Sequence, residues 1–172
     1  MQPEMEYSIR PVTRDDISFL WDMLYYAAHM SEDGAVSSQA AGDDPRLNMW
    51  VNDWGRAGDR GVVAFDPGKS LKLGAAWLRL LPKGFSTGYY DDETPELAIA
   101  VVPECIGQGI GSALLDALID TVRTAVPAIV LTVRSGNPAR HLYERHGFVV
   151  IDEVTNRAGT ISSKMLLKFG SP

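Results

Sequence analysis

Apolar positions along this chain follow two spacings, and the switches between them mark out its elements. Glu6 to Val12 (EYSIRPV) alternates as a strand does, and Thr13-Arg14-Asp15-Asp16 follows as a cap with acidic residues suited to a first helical turn. Ile17, Leu20, Trp21, Leu24 and Ala28 then recur at three- and four-residue intervals, which predicts a core-facing helix to about His29. From Met30 to Asp44 the periodicity disappears into Ser, Gly, Ala, Gln and Asp, an exposed loop, and Leu47 to Ala57 reads as helical again. Gly61 to Phe65 and Leu71 to Leu81 are β-branched or apolar runs on either side of Asp66-Pro67-Gly68, the pattern of a hairpin.

In the second half, Leu97 to Val102 is an apolar strand, and Ile110, Leu114, Ala117, Leu118 and Val122 form one face of a helix that Pro127 ends. Ala128 to Val133 is a short buried strand. Asn137 to Arg145 is a brief helix stopped by Gly147, and Phe148 to Ile151 and Ile161 to Phe169 are two last strands. Pro82 to Thr94, with Gly84, Gly88, Tyr89, Tyr90 and Asp91-Asp92-Glu93, is too polar for core and reads as a loop flanking a site. This order predicts an α/β (α+β) single domain over residues 1–172, a mixed central β-sheet flanked by helices.

Composition narrows the function. A chain of 172 residues that is 45% hydrophobic can build one core without a second domain. Its formal charge of −6 argues against a nucleic-acid partner, which needs a concentrated basic face. The single Cys105 cannot form an internal disulfide and the first residues lack the order of a secretory signal, so a cytoplasmic location is expected. No apolar run approaches the roughly 20 residues that span a bilayer, and no membrane role is expected.

The chemistry concentrates at Pro103-Glu104-Cys105-Ile106-Gly107-Gln108-Gly109-Ile110-Gly111-Ser112, directly between a strand and a helix. Glycines at alternate positions remove Cβ atoms where phosphates could approach the backbone, and the helix behind them offers unpaired N–H groups and its positive dipole end. A Rossmann unit would need an acidic residue about 20 positions later, and the region of Pro127 to Val133 has none. A Walker loop would need Gly-Lys-Ser/Thr, whereas Ile110 follows Gly109. Downstream stands a second motif, Asn137-Pro138-Ala139-Arg140-His141-Leu142-Tyr143-Glu144-Arg145-His146-Gly147-Phe148.

With both motifs in this order, the chain resembles the GNAT acyltransferase superfamily, which moves acetyl groups from acetyl-coenzyme A (acetyl-CoA) to amines. Gly107-Gln108-Gly109-Ile110-Gly111 is similar to its cofactor loop, and Asn137, Ala139, Leu142-Tyr143-Glu144 and Gly147-Phe148 to its second signature. Ile106 departs from the Gln or Arg that begins the family pattern. The resemblance implies that the backbone of Ile99, Ala100 and Val101 pairs with the pantetheine arm. It implies that Gly107, Gln108, Gly109, Ile110, Gly111 and Ser112 cradle the pyrophosphate, and that Asn137 contacts the cofactor through its amide unless it is only a helix cap.

Tyr143 is the expected acid, a phenol able to protonate or hydrogen-bond the departing thiolate, with a core aromatic as the plain alternative. An alkylammonium must lose a proton before it attacks, and Glu96 is the expected base: a period of two places it on the face of the small residues Ala98 and Ala100. A strand-edge glutamate facing solvent is its alternative. His29, His141 and His146 lack metal-ligand spacing and read as surface residues, with no metal expected, and Cys105 reads as apolar packing. The acidic groups of the loops read as solvated charge. The implied function is N-acetyl transfer from acetyl-CoA to a small-molecule or peptide primary amine by direct attack in a ternary complex. A homodimer is compatible with this reading, and a non-catalytic acyl-CoA sensor is the alternative.

Overall fold

A computed structural model of the chain describes residues 5–30, 34 and 37–170. The strands are β1 (Ser8–Pro11), β2 (Arg60–Asp66), β3 (Leu71–Arg79), β4 (Glu96–Val101), β5 (Ala128–Arg134), β6 (Val149–Thr155) and β7 (Ile161–Lys168). The α-helices are α1 (Ile17–Ala27), α2 (Gln39–Asp43), α3 (Ile110–Val122) and α4 (Ala139–Arg145). One sheet runs β1-β2-β3-β4-β5-β7-β6, antiparallel throughout except for the central β4/β5 pair. The expected mixed sheet with flanking helices is what the chain forms.

Strand alternation sends side chains to two cores. Leu73, Ala76, Leu78, Leu97, Leu131 and Val133 meet Ile110, Leu114, Leu118 and Val122 of α3 on one face. Ala75, Trp77 and Ala98 meet Leu20, Met23 and Leu24 of α1 on the other. Fully buried Asp16 ties α1 to the sheet, bonding Arg10 of β1 (2.7 Å) and Lys72 of β3 (2.8 Å) and accepting the Thr13 N–H (2.7 Å).

Two expectations need correction. Leu47 to Ala57 is not a helix: one 3-10 turn at Asn48–Trp50 gives way to turns with positive φ at Asp53 (55°) and Gly55 (111°). Its carbonyls serve side chains of β3 instead of a helical ladder. The Arg79 guanidinium donates to Met49 O (2.7 Å) and to Asn52 O, and Trp77 Nε1 to Trp50 O (3.0 Å). Arg79 is itself buried and bidentate on Asp59 (3.0 and 2.8 Å), so the segment is pinned by polar groups that periodicity does not report. The supposed loop from Met30 to Asp44 contains α2, whose Ala41 packs fully buried beneath α1; residues 31–33, 35 and 36 of that stretch lie outside the described residues.

The parallel β4/β5 pair positions the site. Its register holds one pair, Glu96 opposite Val130, with Val130 N–H donating to Pro95 O (3.1 Å). Beyond Glu96 the two strands separate, and the sheet opens at its middle.

Candidate functional site

The edge of β4 that borders this opening can be read from hydrogen-bond parity. Val102 N–H donates to Leu73 O of β3 (2.8 Å), so by the two-residue period of an antiparallel ladder Ala100 and Ala98 also turn their backbone to β3. Ile99 and Val101 therefore turn N–H and C=O toward the opening, without a strand partner. Of the three residues expected to bind an extended ligand through the backbone, Ile99 and Val101 are placed to do so and Ala100 is not.

At the end of β4 the chain makes a 3-10 turn, Pro103–Cys105, and reaches Gly107 (φ 86°) and Gly109 (φ 82°), both left-handed. Gly109 caps α3, and a Cβ on either glycine would meet nothing of this chain within 4 Å. The glycines are thus demanded by backbone conformation, and they leave an open concavity in front of α3. Gly107, Gln108 and Gly109 donate no backbone hydrogen bond among the described residues, and the first turn of α3, Ile110 to Ser112, has N–H groups with no helical acceptor. Ile110 anchors this turn by burying its side chain in the core, while Ile106, at 68% exposure, anchors nothing. The donor set fits a pyrophosphate, and the unpaired β4 edge beside it fits a pantetheine amide chain.

A cavity of about 320 Å³ runs through the opening. Leu97, Ala98 and Ile99 line it from β4, Leu131, Thr132 and Arg134 from β5, and Tyr143 from α4. Leu24, Trp50, Phe85 and Ser86 also line it. Tyr143 is 8% exposed, its ring edge-on to Phe148 with centroids 6.0 Å apart, and its hydroxyl has no hydrogen-bond partner among the described residues. Burial alone pushes its pKa up to about 12, so the phenol keeps its proton at any working pH.

Glu96 lies on the face of Ala98 and Ala100 as its parity requires, but it does not face solvent: it is 3% exposed. Burial pushes its pKa up to about 7, against the downward pull of a hydrogen bond from Ser86 and of the Lys164 ammonium. Ser86 Oγ donates to Glu96 Oε2 (2.8 Å), while Oε1 is buried without a partner. Ser86 reaches the cavity lining and Glu96 does not.

The remaining candidates divide. Asn137 Oδ1 accepts the Ala139 N–H (2.9 Å), the cap geometry, and its amide nitrogen lies 3.4 Å from His29 Nε2; it is not part of the cavity lining. Cys105 is buried in the α3 core. The expectation of surface histidines holds for His141 alone. His29 lines the cavity at φ 57°, and His146 bridges Leu142 O and Asp116 Oδ1, both at 2.8 Å. Ser86 and Gly88 were not singled out by the sequence, beyond the loop expected to flank a site. A hydroxyl ten residues from its carboxylate carries no periodic signal.

Comparisons with known proteins bear on the fold that holds these residues. Residues 96–169, from β4 to just past β7, match the family model "Acetyltransferase (GNAT) domain". No curated protein matches the chain. Among solved structures, a putative acetyltransferase from Salmonella typhimurium, determined with its cofactor acetyl-CoA, shares 22% identity over 97% of this chain and 96% of its own, with a TM-score of 0.71. A GNAT-family acetyltransferase from Streptococcus pneumoniae shares 20% over 96% and 100%, with a TM-score of 0.68. A mutant form of the spermidine/spermine N-acetyltransferase SpeG from Vibrio cholerae shares 23% over 95% of each chain, with a TM-score of 0.62. At these identities the solved structures establish the fold, and the similarity to the GNAT acetyltransferase domain model is confined to residues 96–169.

Proposed function

We propose that this GNAT-fold chain is an acetyl-CoA-dependent N-acetyltransferase that acts on a small-molecule or peptide amine by direct attack in a ternary complex. The observation that carries this reading is the opening between β4 and β5, bordered by the unpaired backbone of Ile99 and Val101, the free N–H groups of Gly107 to Ser112, and Tyr143. Acetyl-CoA would supply an activated acetyl thioester there. The solved relative with acetyl-CoA bound and the spermidine/spermine N-acetyltransferase of the same fold support the cofactor and an amine acceptor.

In this reading the β4 edge and the glycine turn hold the coenzyme along the opening, and Tyr143 answers the charge that develops on sulfur. A phenol near pKa 12 is a weaker acid than an alkyl thiol near 8.5, so complete transfer of its proton to the thiolate runs uphill. The Tyr143 hydroxyl therefore acts chiefly as a hydrogen-bond donor to the leaving sulfur. Glu96, near pKa 7, is a base matched to neutral pH. The test is release of free thiol from acetyl-CoA in the presence of a panel of amines: spermidine, benzylamine, amino acids and peptides with free amino termini. Thiol release dependent on at least one amine, with mass-spectrometric detection of its acetyl amide, is expected. Acetyl-CoA binding without turnover on any amine would favour the sensor alternative.

A further inference from the structure

The placement of Glu96 raises a question that the proposed function leaves open, namely how a carboxyl outside the cavity lining reaches a proton inside it. Ser86 answers it. Its Oγ is the atom that contacts Glu96 Oε2 at 2.8 Å, and Ser86 itself lines the cavity. A hydroxyl has one proton to donate and two lone pairs. With the proton on Glu96 and one lone pair taken by the Gly88 N–H (3.0 Å), one acceptor position of Ser86 remains.

The surroundings hold this contact in place. A Cβ at Gly88 would stand 2.6 Å from Glu96 Oε2 and 3.0 Å from Cδ, so only glycine there lets the carboxyl lie against the loop. Lys164 of β7 donates its ammonium to Tyr89 O of the same loop and is the charged group acting on Glu96. Arg79, opposite Glu96 across the β3/β4 ladder, is engaged by Asp59 and the carbonyls of Met49 and Asn52. Thr132 of β5, whose methyl lies 3.3 Å from the same position, adds no charge. Oε1, buried and unpartnered, has no route of its own.

We propose that Ser86 is the proton relay of this site, accepting a proton from the acceptor ammonium while passing its own hydroxyl proton to Glu96 Oε2. This rests on the acetyl-transfer reading. The balance is complete without any further reactant. One proton leaves the ammonium nitrogen for Ser86 Oγ as the Ser86 proton moves to Glu96, and the freed lone pair forms the C–N bond to the acetyl carbonyl as the C–S bond breaks. The sulfur departs with the bonding pair, and the second proton that nitrogen loses in becoming an amide ends on sulfur. Glu96 returns its proton to solvent through the same hydroxyl, and nothing is oxidised or reduced.

Two readouts test the relay. The first needs no turnover: infrared titration of the protonated carboxyl band of Glu96, identified by its loss in Glu96→Gln. In wild type the midpoint is expected near 7. Ser86→Ala removes a hydrogen bond to the charged form and should raise it by about one pH unit, while Ser86→Thr leaves it in place. The second uses whichever amine of the panel is acetylated. Ser86→Ala should lower kcat about 100-fold, with KM for acetyl-CoA unchanged, and displace the limb near pH 7; Ser86→Thr should restore both to within about threefold. An unchanged midpoint, or a Ser86→Ala enzyme with wild-type rate and pH profile, would overturn the relay. A shifted midpoint with no amine acetylated would overturn the acetyl-transfer reading, and the relay with it, while leaving Glu96 and Ser86 a coupled pair. Gly88→Ala should reproduce the Ser86→Ala pH profile with Ser86 intact, because the added methyl displaces the carboxyl. A wild-type profile in a folded Gly88→Ala protein would also count against the relay.

Discussion

At the scale of single residues, the site rests on groups whose burial works against stability. Glu96 has an ordinary pKa of 4.5 and a folded value of about 7, so the folded protein holds a proton that the unfolded chain releases between those values. Because the folded value is raised, stability is lost as pH climbs from about 4.5 to about 7 and stays lost above it. A separation of this size corresponds to roughly 3 kcal/mol. Glu96→Gln removes the titration. The stability of wild type relative to Glu96→Gln is therefore expected to fall between pH 5 and pH 8, measured by urea unfolding, and a constant difference across that range would contradict the burial argument. Tyr143 carries the complementary expectation. Since its proton stays on, Tyr143→Phe should lower kcat about 100-fold with no new pH dependence between 6 and 9, and alter acetyl-CoA affinity by no more than about threefold. Steady-state kinetics over that range with calorimetric titration of the cofactor would check both halves.

Elements show why some of this was legible in the sequence. Strands and helices whose residues meet a core announce themselves by period: Ile110, Leu114, Leu118 and Val122 of α3 predicted their own burial, and the three-strand run β2 to β4 followed from apolar composition. The segment after Leu47 failed because its shape comes from carbonyls captured by Arg79 and Trp77, partners about 27 residues away. Glu96 was placed on the correct face, yet its burial was not visible, since the loop that covers it is ordered by Ser86, Gly88 and Lys164 rather than by apolar residues. The glycine turn between β4 and α3 was legible as a turn, but its three glycines differ in kind. Gly107 and Gly109 hold positive φ, so a side chain there strains the backbone by about 1–2 kcal/mol whether or not a phosphate binds. Gly111 has no such constraint, and a Cβ would make ordinary contact with Leu142 at 3.5 Å. Gly111→Val is thus the cleaner probe of the cradle. It should keep the fold by circular dichroism and weaken acetyl-CoA about 10- to 100-fold in calorimetric titration, the loss of one or two charge-assisted N–H contacts. Unaltered affinity would separate Gly111 from the phosphate site.

Across the whole molecule, the sheet consists of two antiparallel halves, β1 to β4 and β5 with β7 and β6, joined at their strands by the single Glu96/Val130 pair. A ligand that lies along the opening would complete the ladder where the protein leaves it incomplete, so its binding should register as hydrogen-bond protection with the parity of β4. In the free protein the amides of Ala98 and Ala100, bonded to β3, should exchange slowly, while those of Ile99 and Val101 should exchange fast despite lying in the same strand. Coenzyme A, which cannot turn over, should slow Ile99 or Val101 and leave Ala98 and Ala100 nearly unchanged. At 100 times its dissociation constant it should also add about 2.7 kcal/mol to the stability of the fold, a rise in Tm of roughly 5–10 °C for a chain of this size. Hydrogen exchange resolved by residue distinguishes the outcomes. Protection confined to Gly107 to Ser112 would mean that the pyrophosphate is held at the head of α3 while the pantetheine arm leaves the opening unfilled. Uniform slowing of all four β4 amides would mean that the halves close together on binding, and the strand-completion argument would then fail even though the coenzyme binds. Alternate protection in β4 together with protection of the glycine turn is the expected result, because only an extended chain lying in the opening contacts both.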